Sequence, residues 1–578
     1  MIFYDFEVFK HDWLVVAIDM QNKTEHVIVN DPDQLRKLYE ENVKNIWIGF
    51  NSKHYDQFIL KGIMLGMNPK NINDDIILRG KKGYEISPEF KKIPFCNYDI
   101  MLRGDPSLKT LEGYMGNDIQ ESSVDFNIDR KLTQEEIQEV IEYCRHDVQQ
   151  TINVFLHRQS EFTSHLSLSS AANGGKLNLN YLNKTKTQLS AMMLEARQKF
   201  FDDEFDLIIP KNLKISKYKG CVDWYRDPIN HCYKKKVVGK SGKLVTRDNQ
   251  LDISIAGVPH VLGYGGIHGA IKQYHGIGKF ILMDVTSLYP TLMIEYNLLS
   301  RSVKKPEKFE QIYRKNLDLK AAGKKEERAP YKLTCNSTYG AMKDKYNQLF
   351  DPRMANSVCV HGQLFLVDLI EQLEPYCEII QSNTDGILIK YEQDNLPIIN
   401  FKSSDWERRT GLRLEFDYFN EVYQKDVNNY VFIGDDGIKT KGGFVKRLNE
   451  LDNDLPIVNK AINDYLTKKI PIEETIYNCN KLKDFQMVKR ITSKFDHLKH
   501  GDKILQERCV RVFASKNKTG GLYQLNKKSS RYGKVTNTPE NCFIYNADVN
   551  DVIVPNHLDR DFYIDLARHR LKLFGVSA

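Results

Sequence analysis

Three short segments, in a fixed order, constrain this chain more than anything else in it: DVTSLYP at 284–290, KLTCNSTYG at 332–340 and SNTDG at 382–386. Asp284 stands at the end of the apolar run 279–283, and Asp385 lies between the apolar runs CEII and ILIKY. Both patterns predict strand ends. The middle segment puts Lys332, Asn336 and Tyr339 on one helical face. Two carboxylates brought together from separate strands can hold two Mg²⁺ ions. Such a pair stabilises the attacking and leaving oxygens of an in-line phosphoryl displacement. Alone, Asp284 would be a strand-end aspartate capping a turn; the ordered set of three argues against coincidence.

A second set of carboxylates lies upstream. FYDFEVF places Asp5 and Glu7 two apart, on one face of a strand. FNSKHYDQFIL supplies Asn51, Tyr55 and Asp56, and EYCRHDV supplies Tyr143 and Asp147. The last segment predicts a helix. Thr133 and Glu136 form a capping box, and Ile137, Val140, Ile141, Val148 and Ile152 follow at helical spacing. Tyr143 and Asp147 then share a face. Crowded together, Asp5, Glu7, Asp56 and Asp147 would raise one another's pKa values unless cations neutralised them.

The later segments resemble motifs A, B and C of the family B DNA polymerases: D-x-x-S-L-Y-P, K-x-x-x-N-S-x-Y-G and D-T-D-S, the last with Asn383 and Gly386 as departures. The upstream set resembles the three motifs of the DnaQ-like proofreading 3′–5′ exonuclease, which this family carries before motif A. The resemblance implies an α/β and α+β multidomain chain, an RNase H-like exonuclease followed by a right-hand polymerase. The implied divisions are exonuclease 1–165; a connecting module of unknown role 166–255, with a small polar linker near 165–175; palm 256–300; fingers 301–340; palm again 341–445; and thumb 446–578. In the connecting module, LSAMMLEARQKFF predicts a helix, and Lys-Ser-Gly and Arg-Asp-Asn mark turns.

The same resemblance implies site roles. Asp284 and Asp385, with the Val285 carbonyl, would hold two Mg²⁺, for which Mn²⁺ could substitute. Ser287 and Leu288 would receive the triphosphate on backbone N–H groups, and Tyr289 would stack under the sugar and exclude a 2′-hydroxyl. Lys332 would contact phosphates, Tyr339 the nascent base pair, and Asn336 and Gly340 would shape that pocket. Lys320 and Arg328 precede Lys332 by twelve and four residues and could extend a basic stripe on one helix, which Pro330 would interrupt. Asp5, Glu7, Asp56 and Asp147 would hold a second pair of metals, with Tyr143 orienting a water. Asn51 and the segment Ser107, Leu108, Lys109 would hold a single-stranded 3′ end. Tyr264, Gly265 and Gly266 resemble the Y-x-G-G of protein-primed polymerases at altered spacing. Tyr430 matches K-x-Y with Asn428 in place of the lysine, and Lys441 and Gly442 match the lysine-bearing strand at the primer. Asn383 keeps an oxygen acceptor but loses a charge, which predicts surviving activity with weaker metal affinity.

Length resembles the small protein-primed phage polymerases, but 47 residues separate Asp284 from Lys332 and 42 separate Gly340 from Asn383. Neither gap has room for a large insertion. The expectation is an enzyme of a phage or mobile replicon that extends a nucleic-acid primer with limited strand displacement. It would act as a monomer on primer-template DNA and dNTPs, with a helicase or single-strand-binding protein as accessory partner. Residues 441–578 carry 25 Lys and Arg against 16 Asp and Glu, while the whole chain is only +7. That balance suits a phosphate backbone. Ten scattered cysteines without a C-x-x-C favour a reducing cytosol, here that of a bacterial host, and no structural zinc. No 18-residue apolar run points to a membrane span, and the N-terminus does not resemble a signal peptide. Two other functions stay open on the residues: an exonuclease whose polymerase site has decayed, and a non-catalytic DNA-binding replication factor.

Overall fold

The computed structural model describes residues 1–239, 242–445, 448–452 and 454–576. The chain opens with an antiparallel meander, β1 (Ile2–Val8), β2 (Trp13–Asp19) and β3 (Thr24–Val29). Helix α1 (Pro32–Asn42) leads to β4 (Trp47–Gly49), which runs parallel to β1. Helices α2 (Asp56–Met64), α3 (Pro69–Ile77) and α4 (Gly83–Ile86) precede β5 (Asn97–Asp99), parallel to β4. The sheet order is β3-β2-β1-β4-β5. Helices α5 (Leu108–Met115) and α6 (Gln134–His157) complete this unit, and α7 (Gln159–Ala172) leads out of it, with Phe162 and His165 still against Tyr98.

Alternation along β1 decides where its carboxylates go. Ile2, Tyr4, Phe6 and Val8 enter one core with Trp47 and Phe58. Phe3 and Phe9 enter the other, against Val140, Cys144 and Val148 of α6. Asp5 and Glu7, on the second face, therefore look toward α6. The expected capping box forms, with Thr133 as N-cap and Glu136 bonded back to its N–H. The expected linker at 165–175 does not: α7 continues to Ala172, with His165, Leu168 and Ser169 buried. Small Ser and Ala side chains let that helix pack closely, and only Gly174 and Gly175, both at positive φ, turn the chain.

The helix expected over 189–201 is shorter. Helix α8 (Lys186–Met193) stops at Met193 and packs on the later helix bearing Ser337, with the two hydroxyls of Ser190 and Ser337 2.7 Å apart. Beyond it the chain is held by ion pairs instead, Arg301 gripping Asp203 and Asp351. Helix α9 (Lys219–Arg226) and a hairpin, β6 (Lys234–Val238) with β7 (Leu244–Asp248), follow. The Lys-Ser-Gly turn signal falls partly on Lys240 and Ser241, outside the described residues.

The largest sheet begins at residue 250, six residues before the expected palm boundary. Its strands are β8 (Gln250–Ile255), β9 (Val258–Gly263), β10 (His268–Ala270), β11 (Tyr274–Val285), β12 (Cys377–Asn383), β13 (Gly386–Tyr391), β14 (Leu414–Asp426), β15 (Asn429–Gly434) and β16 (Gly437–Lys441). Their order is β16-β15-β14-β11-β13-β12-β10-β9-β8. Between strands lie α10 (Leu288–Glu295), α11 (Glu307–Ala321), α12 (Lys325–Lys343), α13 (Pro352–Leu373) and α14 (Leu396–Thr410). Helix α13 is buried almost throughout and forms the spine behind the sheet. Ile281, Met283 and Val285 of β11 pack toward it. Phe280 and Leu282 point the other way, into a cluster with Tyr430 and Phe432. Asp284 shares that second face, away from the helices.

Pro330 does not break α12, contrary to expectation. Its missing N–H would have met the Glu326 carbonyl in the first turns of the helix, so a single bond near one end is lost. Thr334 Oγ1 donates to the Pro330 carbonyl at 2.9 Å and ties the turn.

The C-terminal part contains α15 (Pro456–Lys468), α16 (Ile472–Tyr477) and α17 (Arg560–Lys572) over two small sheets. The expected boundary at 446 lies outside the described residues. One sheet runs β17 (Met487–Arg490), β20 (Cys509–Ala514), β23 (Cys542–Ile544); the other joins β18 (Phe495–His500), β19 (Lys503–Leu505), β21 (Leu522–Asn526) and β22 (Arg531–Lys534) in the order β19-β18-β21-β22. Strand β20 docks directly on α5. Arg511 is wholly buried there, its Nε donating to Gln486 at 2.9 Å and its other nitrogens to the carbonyls of Gly113, Asn117 and Ala547. Burial lowers its pKa to about 10. Those carbonyls replace the water the guanidinium gave up, which makes Arg511 a fixed joint between the two ends of the chain. All ten cysteines are free, and among the described residues no helix is long and apolar enough to cross a membrane.

Candidate active sites

The N-terminal carboxylates converge. Asp5 and Glu7 come from β1, Asp56 from the first residue of α2, and Tyr143 and Asp147 from one face of α6. The Phe6 N–H donates to Asp56 Oδ1 at 3.2 Å, which pins α2 to β1. Glu7, Asp56 and Asp147 are buried. Ligand atoms of Asp5, Glu7 and Cys144 lie within 4.8 Å of one another, as do those of Glu112, His146 and Asp147. The Cys144 thiol donates to the Asp5 carbonyl and is raised in pKa by burial, so it buttresses the strand rather than offering a thiolate.

Lys109 joins the carboxylates, a placement the sequence did not show. It turns inward, pairs with Asp147 and with Glu112 (3.2 Å), and lies 4.5 Å from the Tyr143 ring centroid. Its pKa rises in spite of burial because Asp147 and Glu112 surround it. Ser107 stands at the N-cap position of α5 with its hydroxyl turned to that of Thr110 at 3.1 Å, not to a backbone N–H, and Leu108 packs against the α6 core. Asn51 sits in the left-handed region at φ 61°, its N–H donating to Asp99 at 2.9 Å. That bond fixes an exposed loop beside the carboxylates.

Burial, and then the neighbouring carboxylates, push Asp5 and Glu7 well above their usual pKa values. Burial raises Asp56 from 3.8 to about 7. An all-oxygen set short of positive charge fits hard divalent cations such as Mg²⁺. A stability consequence follows for the metal-free protein. These acids keep protons in the folded chain that they release when unfolded. Their contribution is therefore complete below about pH 4 and drains away as pH rises through about 7. In chelator at pH 8, Asp5→Asn should melt a few degrees above the unsubstituted chain, roughly 2–4 °C per kcal/mol recovered. Mg²⁺ or Mn²⁺ should raise the melting point of the unsubstituted chain by more than that of the variant, which keeps only the second carboxylate centre intact. Thermal melts at pH 5 and 8, with and without metal, check this; a variant less stable than its parent at pH 8 contradicts it.

The second site forms where the three later segments meet. Ser287, Leu288, Tyr289 and Pro290, Cys335, Asn336 and Tyr339, and Thr384 and Asp385 line one cavity of about 220 Å³. Ser287 takes a left-handed conformation (φ 50°, ψ 49°), which turns β11 into α10. Tyr289 and Tyr339 form one wall, ring centroids 4.3 Å apart and tilted 42°. The Val285 N–H donates to the Asp385 carbonyl at 2.7 Å, locking the end of β11 to the β12–β13 turn. Burial, then the charge of Asp284, raises Asp385, against Lys441 and Lys439. Lys332 is exposed on α12, on the face shared by Asn336 and Tyr339, and Gly340 is exposed beside Tyr339.

Both departures from D-T-D-S have local causes. Gly386 lies directly opposite Asp284 in the β11–β13 pair. A Cβ there would collide with Asp284 Oδ1 and come within 3.0 Å of the Met283 carbonyl. Glycine thus leaves the room that the Asp284 carboxylate occupies. Asn383 Nδ2 donates to the Val427 carbonyl at 3.2 Å, a bond that an aspartate, with no donor, could not make.

The structure also brings in residues that sequence matching missed. Lys439 Nζ lies 3.1 Å from Asp284 and 3.2 Å from Asp417. Glu415 stands opposite Asp284 on β14, and Asp417 opposite Leu282. The period-two alternation of β14 and β16 is the signal that could have found them, once β11 was known to lie beside β14. Lys320 does not join a stripe with Lys332. It ends α11 and reaches Glu415 at 3.5 Å, while Arg328 on α12 donates to Asn316 at 2.8 Å; a break at 322–324 separates the two helices.

Other matched residues serve as support. Tyr264 packs among Phe205, Trp224, Tyr225 and Tyr233, and its hydroxyl donates to the Asn230 carbonyl, which leaves its ring only partly exposed. Gly265 bonds through its carbonyl to Gln363, and Gly266 leaves room for Thr384. Tyr430 is buried and stacked on Phe432 at 4.1 Å, with Lys441 above it. Gly442, at φ 99°, allows close approach to the Asn428 carbonyl.

No protein-family model matches the chain, and no curated protein sequence matches it. Among solved structures, the chain is similar to the family B DNA polymerase of the hyperthermophilic archaeon Pyrobaculum calidifontis. The two share 14% identity at a TM-score of 0.42, over 100% of this chain and 78% of that one.

Proposed function

We propose that this chain is a DNA polymerase of the family B type with its own 3′–5′ proofreading exonuclease. The observation that carries the reading is the single cavity lined by all three ordered segments, with Asp385 and the Tyr289–Tyr339 pair in its walls and Asp284 beside it. Two divalent cations held by Asp284, Asp385 and the Val285 carbonyl would supply Lewis acidity to the reacting phosphate. The primer 3′-hydroxyl loses its proton to solvent as its oxygen forms a bond to the α-phosphorus of a dNTP, the bond from that phosphorus to the β-phosphate oxygen breaks, and pyrophosphate leaves. The N-terminus of α10, at Ser287 and Leu288, offers N–H groups to the triphosphate. Lys332 meets its charge, Tyr289 limits the sugar, and Tyr339, Asn336 and Gly340 border the base pair. Lys441 and Gly442 lie beside the primer strand.

In the N-terminal unit, Asp5, Glu7, Asp56 and Asp147 take the second metal pair and Tyr143 orients the attacking water, with Asn51, Ser107 and Leu108 beside the unpaired 3′ end. The β3-β2-β1-β4-β5 order, three antiparallel strands and two parallel, supports an RNase H-like assignment. We assign residues 1–165 to the exonuclease, 301–340 to fingers, the sheet around β11 to the palm, and 446–578 to a thumb. The setting is replication of a phage or mobile element from a nucleic-acid primer. A decayed polymerase site is less well supported, since Asn383 has a structural partner and Asp284, Lys332, Tyr339 and Asp385 are all present.

Sugar selection tests this cavity. Tyr289→Ala should raise the ratio of ribonucleotide to deoxyribonucleotide incorporation about tenfold or more, because a site that rejects a hydroxyl sterically loses that rejection with the ring. Single-nucleotide incorporation with dATP and ATP opposite template T measures it. An unchanged ratio in an active variant removes Tyr289 from the sugar site; no incorporation by either protein removes the polymerase reading.

A further inference from the structure

The four-stranded sheet β19-β18-β21-β22 has two unlike faces. Leu498, Leu505 and Leu522 are buried beneath it in the C-terminal core. The other face is set by register. Ile504, Lys499, Tyr523 and Lys534 form one row across all four strands, and Leu525 pairs with Tyr532 in the next row of the same face. Tyr532 is 45% exposed and Ile504 56% exposed. The His497 ring bonds the Tyr532 hydroxyl at 2.7 Å, and Lys499 Nζ lies 5.5 Å from the Tyr532 ring centroid. Lys499 also pairs with Asp502 at 3.6 Å, and Lys534 with Glu540; these exposed pairs are weak and screened.

Charge is concentrated here. Residues 494–534 carry eleven Lys and Arg against three Asp and Glu, and one of the eleven, Arg511, is buried in the neighbouring sheet, which leaves ten cations outside the core. A sheet face that sets an exposed ring, Tyr532, and a half-buried one, Tyr523, between lysines matches an unpaired nucleic-acid strand better than a duplex. Rings stack on base faces, which a duplex hides, and lysines follow the phosphates.

We propose that this outer sheet face binds single-stranded DNA without sequence preference, Tyr523 and Tyr532 stacking on bases and Lys499 and Lys534 meeting phosphates. The site is separate from both carboxylate centres and stands whether or not the chain polymerises. The test uses the full chain carrying Asp5→Ala, so that the probe survives. Fluorescence anisotropy compares a labelled 16-nucleotide oligo(dT) with a blunt 16-base-pair duplex. Tyr523→Ala/Tyr532→Ala should weaken oligo(dT) binding about tenfold or more and leave duplex binding unchanged. Lys499→Ala/Lys534→Ala should reduce the salt slope of oligo(dT) binding by roughly 1.4, at about 0.7 per phosphate. Unchanged oligo(dT) affinity in folded variants overturns the proposal, and so does an equal loss on duplex. Photocross-linking of 5-iododeoxyuridine-substituted oligo(dT) to the sheet-unsubstituted protein gives a check independent of folding. Cross-linked peptides should contain Tyr523 or Tyr532; cross-links confined to other segments overturn it.

Discussion

Asp5→Ala should lower hydrolysis of a single-stranded 3′ end by about 10³-fold or more while leaving nucleotide incorporation within a factor of about two. The first figure follows from losing a carboxylate that the proposed metal pair requires, worth several kcal/mol at tenfold per 1.4 kcal/mol. The second follows from the fold. Asp5 sits on β1 of the N-terminal sheet, whereas Asp284 and Asp385 belong to a different sheet with its own core. Residues far apart with no shared partner act independently. Release of labelled mononucleotide, measured beside single-nucleotide incorporation, separates the activities. Equal loss of both would mean one shared centre, which the two sheets do not allow.

Gly386→Ser should cut incorporation by about 10²-fold, even though it moves the sequence toward the family motif. The added Cβ has to displace the Asp284 carboxylate, and misplacing a reacting group by about 1 Å costs roughly that much. Asn383→Asp adds a smaller loss, because the Val427 carbonyl would face an acceptor instead of a donor. Exonuclease activity should be untouched, which distinguishes a local effect from misfolding. Full activity in Gly386→Ser would show that Asp284 works from a different position than the one it holds here.

The sequence was most legible where chemistry and period coincide. Asp5 and Glu7 needed only a strand to share a face, and Tyr143 with Asp147 needed only a capped helix; the structure supplies both. The ends of β11 and β13 were legible from apolar runs that stop at a carboxylate. What stayed hidden depends on partners distant in sequence. Lys439 reaches Asp284 across 155 positions, through a β11–β14–β15–β16 order that no local pattern encodes. The partners of Lys109 were hidden too, because the burial of Glu112 and Asp147, which draw it inward, comes from packing that the segment itself does not reveal. Tyr264 matched a motif, but four aromatics, Phe205, Trp224, Tyr225 and Tyr233, gather around it, a cluster that no local pattern announces. Helix α7 was hidden by its small residues, which serve a tight helix as well as a linker. The docking of β20 on α5 through Arg511 could not be inferred at all, because it joins positions some 400 residues apart.

The central claim, that Asp284 and Asp385 polymerise DNA in this chain, is tested most directly by primer extension. A 5′-labelled primer on a DNA template would be given four dNTPs, Mg²⁺ and the Asp5→Ala protein, so that degradation cannot mask synthesis. The account predicts full-length product, lost in Asp5→Ala/Asp385→Ala. No extension with either Mg²⁺ or Mn²⁺, by protein shown to be folded, would contradict it.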